Sequence, residues 1–182
     1  MKAFVSGPIT FPDDYFTTHY EPRISAAIEA RHSFVMGPAM GIDAVSLRYL
    51  VTHGVAPENI TVYLSENESK ALKERVQWFI DFGGQIHVEG VTSADRDAAM
   101  TRDSDYDILR YMSIEEQKEF YGVDYFPRLS ATERNERRRQ GLPLWKNPGL
   151  TTHEPGKEKG GPSSRQKLKE WLRGVFSEPS NT

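Results

Sequence analysis

One strand–turn–helix pattern near the N-terminus constrains the fold more than any other feature. A short apolar run, Ser33-Phe34-Val35-Met36, leads into the turn Gly37-Pro38-Ala39-Met40-Gly41-Ile42-Asp43, and residues 44–51 then carry apolar side chains at helical spacing. This succession predicts a strand, a glycine-containing turn and the start of a helix. Gly37 and Gly41 would let the backbone approach a ligand, and the helix N-terminus would offer N–H groups to an anion. The turn is therefore a candidate phosphate site.

The first residues of the chain repeat this design, since the apolar run Ala3-Phe4-Val5 is followed by Ser6-Gly7-Pro8. In an open parallel sheet both turns would lie at the carboxyl edge of the strands, where ligands bind. Asp43, in the second turn, is open to two interpretations, because an aspartate in a first helical turn also stabilises the helix dipole without any ligand. The predicted ligand contacts from the two turns are Ser6, Gly7, Pro8, Gly37, Gly41 and Asp43.

Strand and helix patterns alternate five times with short connections. This alternation predicts an α/β, Rossmann-like three-layer fold, in which a parallel β-sheet is flanked by helices and the crossovers are right-handed. The domain is expected to cover residues 1–145. The predicted strands are residues 3–6, 34–37, 60–64, 85–88 and 106–111, and the predicted helices are residues 15–31, 41–53, 68–82 and 94–102.

The composition changes after about residue 145. Residues 146–164 are rich in Gly, Pro, Ser, Lys and Glu, which predicts a flexible linker. Residues 165–177 then place apolar side chains at helical spacing and predict an amphipathic C-terminal helix. Docking on its own domain and binding a partner or an anionic surface are the alternatives for this helix.

Charge and composition narrow the functional classes. The chain has 182 residues with 23 basic and 26 acidic side chains, a net charge of -3, which disfavours a nucleic-acid partner. It has no cysteine, so disulfides and thiolate chemistry are excluded. The five histidines show neither HxH nor HExxH spacing, and no metal or other cofactor is predicted. No apolar stretch approaches the roughly 20 residues that cross a bilayer, and Met1-Lys2-Ala3 leads directly into a strand, so we expect a cytoplasmic protein.

Three motifs, which follow one another along the chain, together resemble those of a known protein family. They are Phe4-Val5-Ser6-Gly7, the turn of residues 37–43, and Asp95-Arg96-Asp97-Ala98-Ala99-Met100, which runs into Ser104-Asp105. Together they resemble the SLOG superfamily of Rossmann-like nucleotide-binding proteins, which includes LOG-type phosphoribohydrolases and DprA-type DNA-processing proteins. The resemblance covers roughly residues 1–140. It implies a nucleotide or nucleoside phosphate as ligand and, since LOG-type proteins are commonly dimeric, a homodimer.

LOG-type enzymes hydrolyse the N-glycosidic bond of nucleoside 5′-monophosphates. The resemblance implies that Arg96 is the arginine of the family's catalytic helix and that Asp105 matches its aspartate, here a candidate ligand contact. Asp105 has a simpler alternative, which is to order the turn before its strand or to pair with Arg96. Asp97 also has a simpler alternative interpretation, which is that it is a solvated charge on its helix.

The glycine-rich loop of LOG-type enzymes is altered in this chain. Its best match is residues 130–136, with Asn135 where the family has its catalytic glutamate and Glu136 one residue later. One residue turns a helical side chain by about 100°, so the substitution affects catalysis more than phosphate binding. The catalytic carboxylate is expected to be Glu136 or Glu133. The loop also supplies two predicted phosphate contacts, Ser130 and Thr132.

Three alternatives accompany this interpretation. Residues 6–10 resemble the opening of nucleoside deoxyribosyltransferase-like proteins, which also act on N-glycosidic bonds. A DprA-like single-stranded-DNA function is disfavoured, because Met40 stands where that group has an arginine. The four arginines between residues 134 and 139 are expected to form a solvated helix face. A non-catalytic nucleotide sensor that signals through the C-terminal helix is the remaining alternative.

Overall fold

Five short runs of aliphatic and aromatic residues form an all-parallel sheet at the centre of an α/β fold, as the alternation predicts. The computed structural model describes residues 1–144; the predicted linker and C-terminal helix lie outside the described residues. The strands are β1 Lys2–Ser6, β2 Ser33–Met36, β3 Ile60–Leu64, β4 Gln85–Val88 and β5 Tyr106–Leu109. The helices are α1 Tyr15–His19, α2 Glu21–Glu29, α3 Ile42–Thr52, α4 Glu66–Ala71, α5 Lys73–Asp81, α6 Ser93–Arg102, α7 Ile114–Tyr121 and α8 Ala131–Arg139.

The strand order, β4-β3-β2-β1-β5, explains where the helices lie. The chain steps from β1 to β4 in one direction, and right-handed crossovers place the intervening helices on one face of the sheet. The return from β4 to β5 runs in the opposite direction, so α6 covers the other face. The core clusters agree, because Ile24, Leu50 and Phe79 pack on one face whereas Ala99 and Met100 pack on the other.

Burial of the sheet on both faces accounts for the apolar runs in the sequence. In β1 the side chains of Ala3 and Val5 join the cluster beneath α2, α3 and α5, and Phe4 joins the cluster beneath α6. Alternation then directs Ser6 to the α6 side. Ser6 is the last residue of β1, so its hydroxyl stands at the carboxyl edge of the sheet.

The helix boundaries differ from the prediction at two breaks. The single helix predicted over residues 15–31 is wrong, because Tyr20 separates α1 from α2 and Pro22 lies in the first turn of α2. The helix predicted over residues 68–82 is also divided, at Leu72. Its first part begins early, because Ser65 and Glu68 form a capping box. Within residues 1–144 no helix is long and apolar enough to cross a membrane.

Candidate functional site

The connections that leave β1 and β5 create a crevice at the carboxyl edge of the sheet. These two strands are neighbours, but the chain leaves β1 toward the face of α2 and leaves β5 toward the face of α6 and α8. Adjacent strands whose connections diverge in this way form the topological switch point at which open α/β sheets bind ligands. The candidate site therefore follows from strand order alone.

A cavity of about 330 Å³ lies at this switch point, and we call it the cleft. It is enclosed by the loop after β1, the residues after β5, helix α7 and the start of α8. Among the lining residues in the described part of the chain none is acidic, and two are arginines. The lining residues are Gly7, Pro8, Ile9, Thr10, Tyr111, Met112, Gln117, Tyr121, Arg128, Leu129, Ser130, Ala131, Thr132 and Arg134. This lining suits an anion.

A second cavity, of about 430 Å³, adjoins the cleft at Met112. It is larger, but Glu116 and Glu119 are both in its wall, beside Tyr15 and Phe120. Two carboxylates would repel a phosphate at this position. The lining of the smaller cavity therefore suits an anion better.

The start of α8 forms one wall of the cleft. The Ser130 hydroxyl caps the helix by accepting the N–H of Glu133 at 3.0 Å. Thr132 is buried, and Asn135 donates from its side-chain amide to the Ser6 hydroxyl at 3.2 Å. Asn135 thus joins α8 to the end of β1.

Arg128 is the most available cation of the cleft. It lines the cavity, is exposed, and has no hydrogen-bond or ion-pair partner among residues 1–144. In α8, by contrast, Arg137 pairs with Glu133, Arg139 pairs with Asp107, and Arg138 donates to the side-chain oxygen of Asn135. At least two of the four arginines of this basic cluster are therefore ion-paired within the domain rather than presented as a solvated face.

Gly7 and Gly41 are required by packing as well as by any ligand. A Cβ at Gly7 would lie 2.5 Å from both Ile42 Cγ1 and the Tyr20 hydroxyl. Gly41 has a φ of 84°, and a Cβ there would lie 2.4 Å from the Ile9 carbonyl oxygen. Both glycines allow the loop after β1 to pack against the start of α3.

Two of the N–H groups expected to hold a phosphate at the Gly37–Gly41 turn bind the protein's own oxygens. The N–H of Ile42 donates to the Pro8 carbonyl at 3.1 Å, and the N–H of Ala39 donates to the Asp43 carboxyl group. Gly37 faces the same carboxyl group, because a Cβ at Gly37 would be 3.0 Å from Asp43 Oδ2. The turn thus surrounds an acidic side chain of the protein.

Asp43 belongs to a buried ionic cluster that also contains Glu68, Arg96 and Asp97. The Arg96 guanidinium donates to Asp97 from Nε and Nη2 and to Glu68 from Nη1. Arg96 and Asp97 are each only 7% exposed, so Asp97 is a buried partner of Arg96 rather than a solvated helix charge. Arg75 adds a second guanidinium, which donates to the Pro38 carbonyl. Arg96 therefore joins α6 to α4 beside the turn, and each of its three guanidinium nitrogens already has an acceptor.

Burial raises the pKa of Asp43 well above its ordinary value. The charge of Arg96 opposes this shift, whereas the neighbouring carboxylates Asp97 and Glu68 add to it. The raised pKa means that the folded protein holds a proton on Asp43 at pH values where an unfolded chain has released it. An aspartate that only stabilises a helix dipole needs neither burial nor neighbouring carboxylates, and Asp43 has both.

The substitution Asp43→Asn is expected to remove a pH-dependent loss of stability. A carboxyl group whose pKa is raised by folding costs nothing below its unfolded pKa, and its cost grows as pH rises toward the folded pKa. As the pH rises above about 4, the ordinary pKa of an aspartate, the wild type should therefore lose stability relative to D43N, and the two should converge at more acidic pH. Urea denaturation at several pH values measures this difference. A constant difference across the range would contradict the assignment.

The two predicted catalytic glutamates have different environments. Glu133 pairs with Arg137 at 2.7 Å, and only 17% of each side chain is exposed. Glu136 accepts a hydrogen bond from the Tyr111 hydroxyl at 2.8 Å. Because Tyr111 also lines the cleft, Glu136 is the carboxylate that contacts the cleft wall through a neutral partner.

Asp105 does not lie with the other predicted site residues. It precedes β5, at the amino edge of the sheet, and its carboxylate accepts the backbone N–H of Lys2 at 2.7 Å. The carboxyl edge, with the cleft, is on the opposite side. Asp105 thus orders the chain before its strand, which is the simpler of its two interpretations.

A partly buried group of His87, Glu89 and Asp103 places potential metal-ligand atoms within 4.8 Å of one another. The Arg102 guanidinium, however, donates to both carboxylates at 2.8–2.9 Å. A cation already neutralises this group, so its geometry is that of a surface ion-pair network.

Sequence reasoning missed several residues that shape the cleft, namely Tyr20, Tyr111, Gln117 and Arg128. None lies in a glycine-rich turn or in a family motif. Only Gln117 and Arg128 had a signal that could have drawn attention to them, because they lie in residues 112–129, a segment outside the motifs that carry the SLOG resemblance. Comparison with protein-family models, with curated proteins and with solved structures finds no match to this chain.

Proposed function

We propose that this protein binds a nucleotide or nucleotide-derived ligand in the cleft, with a phosphate group at the start of α8. The observation that carries the proposal is the anion-suited lining of a cavity at the topological switch point. The guanidinium groups of Arg128 and Arg134 line the cleft, together with the first residues of α8. This helix has nine residues, and its N-terminal end carries a partial positive charge.

The phosphate position differs from the one expected from the sequence. The Gly37–Gly41 turn faces the Asp43 carboxyl group, and the Arg96 guanidinium is bound to Asp97 and Glu68. Arg128, Ser130 and Thr132 instead lie together at the cleft. A phosphate there would accept a charge-assisted bond from Arg128, and such bonds are about twice as strong as neutral ones.

The rest of the ligand is a nucleoside for two reasons. The rings of Tyr111 and Tyr121 line the cleft beside the phosphate position, and aromatic faces suit a planar base. The cavity volume of about 330 Å³ is at the lower end of the range for small-molecule sites. A nucleoside monophosphate agrees with this size and with the SLOG resemblance.

Isothermal titration with ribose 5-phosphate, nucleoside 5′-monophosphates and unphosphorylated nucleosides tests the proposal. We expect the phosphorylated compounds to bind. The substitution Arg128→Ala should lower their affinity roughly tenfold, because one charge-assisted hydrogen bond is lost. Nucleosides without phosphate should be insensitive to R128A.

Arg31→Asn is the matched control. Arg31 is exposed and precedes β2 at the opposite edge of the sheet, and its φ of 57° is one that asparagine tolerates. R31N removes the same charge and should leave all affinities unchanged. Equal losses in R128A and R31N, or no binding of any phosphorylated compound, would refute the proposed site.

A further inference from the structure

We propose that the outer edge of β4 is an interaction surface, and that its partner is the same edge of a second copy of this chain. The two β4 strands would run antiparallel and join two five-stranded sheets into one continuous sheet. We call the outer edge of β4, residues 85–88, the open edge. It lies at the opposite end of the sheet from β5, where the cleft is, so this surface is independent of the proposed function.

The two edge strands of the sheet are protected to different extents. At the β5 edge, the Arg23 guanidinium donates to the carbonyl oxygens of Asp107 and Leu109, both at 2.9 Å. At the open edge, three of the four residues are exposed, and no hydrogen bond from residues 1–144 reaches the outward-facing backbone groups. Unpaired N–H and C=O groups of an edge strand are a template for pairing with another chain. Within the described residues, the sheet can therefore be extended at β4.

The side chains of the open edge permit two copies to pair. Gln85-Ile86-His87-Val88 contains no lysine, arginine, aspartate or glutamate, and no proline. The strand thus lacks the residues that commonly block pairing at an edge. A two-fold axis between Ile86 and His87 places each of these residues opposite the other in the second copy, so no like charges face one another. Val88 is 47% exposed, and pairing would bury part of this apolar surface.

Helix α5 runs beside the open edge. Arg75, on one flank of this helix, donates to the Pro38 carbonyl after β2, so that flank faces the middle of the sheet. Lys73 and Ile80 lie on the opposite flank, which therefore faces the side of β4 that has no neighbouring strand. Ile80 is 42% exposed. A second copy at the open edge would meet this flank of α5 as well as the strand.

The charges on α5 are complementary to those of a two-fold related copy. Lys73, Gln77 and Asp81 are spaced four residues apart and form one stripe along the helix. Gln77 donates to Asp81 at 2.8 Å, and Lys73 has no ion-pair partner within residues 1–144. A two-fold axis beside Gln77 places Lys73 of each copy opposite Asp81 of the other. This self-complementarity favours a second copy over an unrelated peptide strand.

One two-fold axis can serve both the strand and the helix. Residues 82–84 connect α5 to β4, so the two elements run in opposite directions. Gln77 lies four residues before the end of α5, about 6 Å along the helix. The centre of β4 lies about 5 Å beyond Gln85. The two midpoints are therefore at nearly the same level, as a single axis requires.

Sedimentation equilibrium of the full chain over a concentration series tests this interface. The wild type should form a dimer that dissociates on dilution. Val88→Lys should raise the dissociation constant by roughly a hundredfold, because it places an ammonium group in the paired edge. Val91→Lys is the matched control, since Val91 is 52% exposed and lies beyond the open edge. V91K should associate as the wild type does, and matching circular dichroism of the two variants shows that both are folded.

A charge-exchange series tests the contact between the two α5 helices. Lys73→Glu and Asp81→Lys each place like charges opposite one another at two equivalent positions, and each should weaken the dimer roughly tenfold. K73E/D81K exchanges the two charges and should restore the wild-type dissociation constant. All these residues are exposed, so the fold should tolerate the changes. Lys70→Glu is the control, because it makes the same change of charge in α4, outside the stripe, and should have no effect.

A wild type that sediments as a monomer at every concentration would overturn the proposal. Hydrogen exchange then gives the reason, because protected β4 amides in the monomer mean that chain outside residues 1–144 covers the open edge. Equal association of the wild type, V88K and V91K would place the dimer contact on another surface and also overturn the proposal. If K73E/D81K associates no more tightly than the single variants, the α5 helices do not meet antiparallel, and the arrangement is refuted.

Discussion

Replacing Arg96 by methionine is expected to lower the free energy of unfolding by about 3–5 kcal/mol, the usual cost of removing one partner from a buried ion pair. Arg96 donates to Glu68 and Asp97, and its side chain is 9% exposed. Without it, both carboxylates lose their cation while Asp43 remains beside them. Methionine keeps most of the volume, so the loss reports charge rather than a cavity. Urea denaturation at neutral pH measures it.

Arg102→Met is the matched control for this substitution. Arg102 also bridges two carboxylates, Glu89 and Asp103, but 60% of its side chain is exposed. Water screens such pairs, and their contribution to stability is small. R102M should therefore lower the free energy of unfolding far less than R96M does, although both substitutions remove one cation and two ion pairs.

A double variant identifies the cause of the R96M effect. In R96M/D97N one of the uncompensated charges is removed together with the cation. If buried charge causes the loss, the double variant should recover part of the stability that R96M loses. A double variant that is less stable than R96M would show that packing, not charge, makes Arg96 necessary.

The sequence was sufficient for the parallel sheet because the central strands β1, β2 and β3 are buried on both faces. Ala3-Phe4-Val5 could be recognised as a strand without any partner, since every residue of the run is apolar. Strand order was not predicted, although it decides where the cleft lies. Order depends on which strands pair across the chain, as β1 does with β5, and no local pattern records that pairing.

The candidate site was predicted in part, for a related reason. Backbone features such as the turns at Gly7 and Gly41 leave a local signature, so their place at the carboxyl edge could be expected. The pairing of side chains that are distant in the sequence leaves no such local signature. The pairing of Arg96 with Glu68 joins residues 28 positions apart, and the bond of Tyr111 to Glu136 joins residues 25 apart. These contacts decide which of the predicted residues remain available to a ligand.

Replacing Tyr20 by phenylalanine is expected to cost about 2–3 kcal/mol, because buried polar groups lose their partner. Tyr20 is fully buried, and its hydroxyl lies 2.9 Å from the Ser6 carbonyl, the Arg110 carbonyl and the Arg110 N–H. It accepts from the N–H and donates its proton to one carbonyl at a time. Tyr49→Phe is the control, since Tyr49 shares one bond with the Ser25 hydroxyl and is only half-buried.

Tyr20 matters beyond stability because its hydroxyl joins the strand ends that diverge at the cleft. Ser6 ends β1 and Arg110 follows β5, so a single oxygen ties the two together beneath the switch point. In Y20F the Arg110 N–H loses its acceptor, and amide hydrogen exchange at Arg110 should accelerate more than at the β2–β3 pairing. Ribose 5-phosphate should also bind more weakly to Y20F than to Y49F, since the floor of the cleft is no longer fixed. Unchanged exchange at Arg110 in Y20F would mean that pairing of β1 with β5 alone holds this edge of the sheet together.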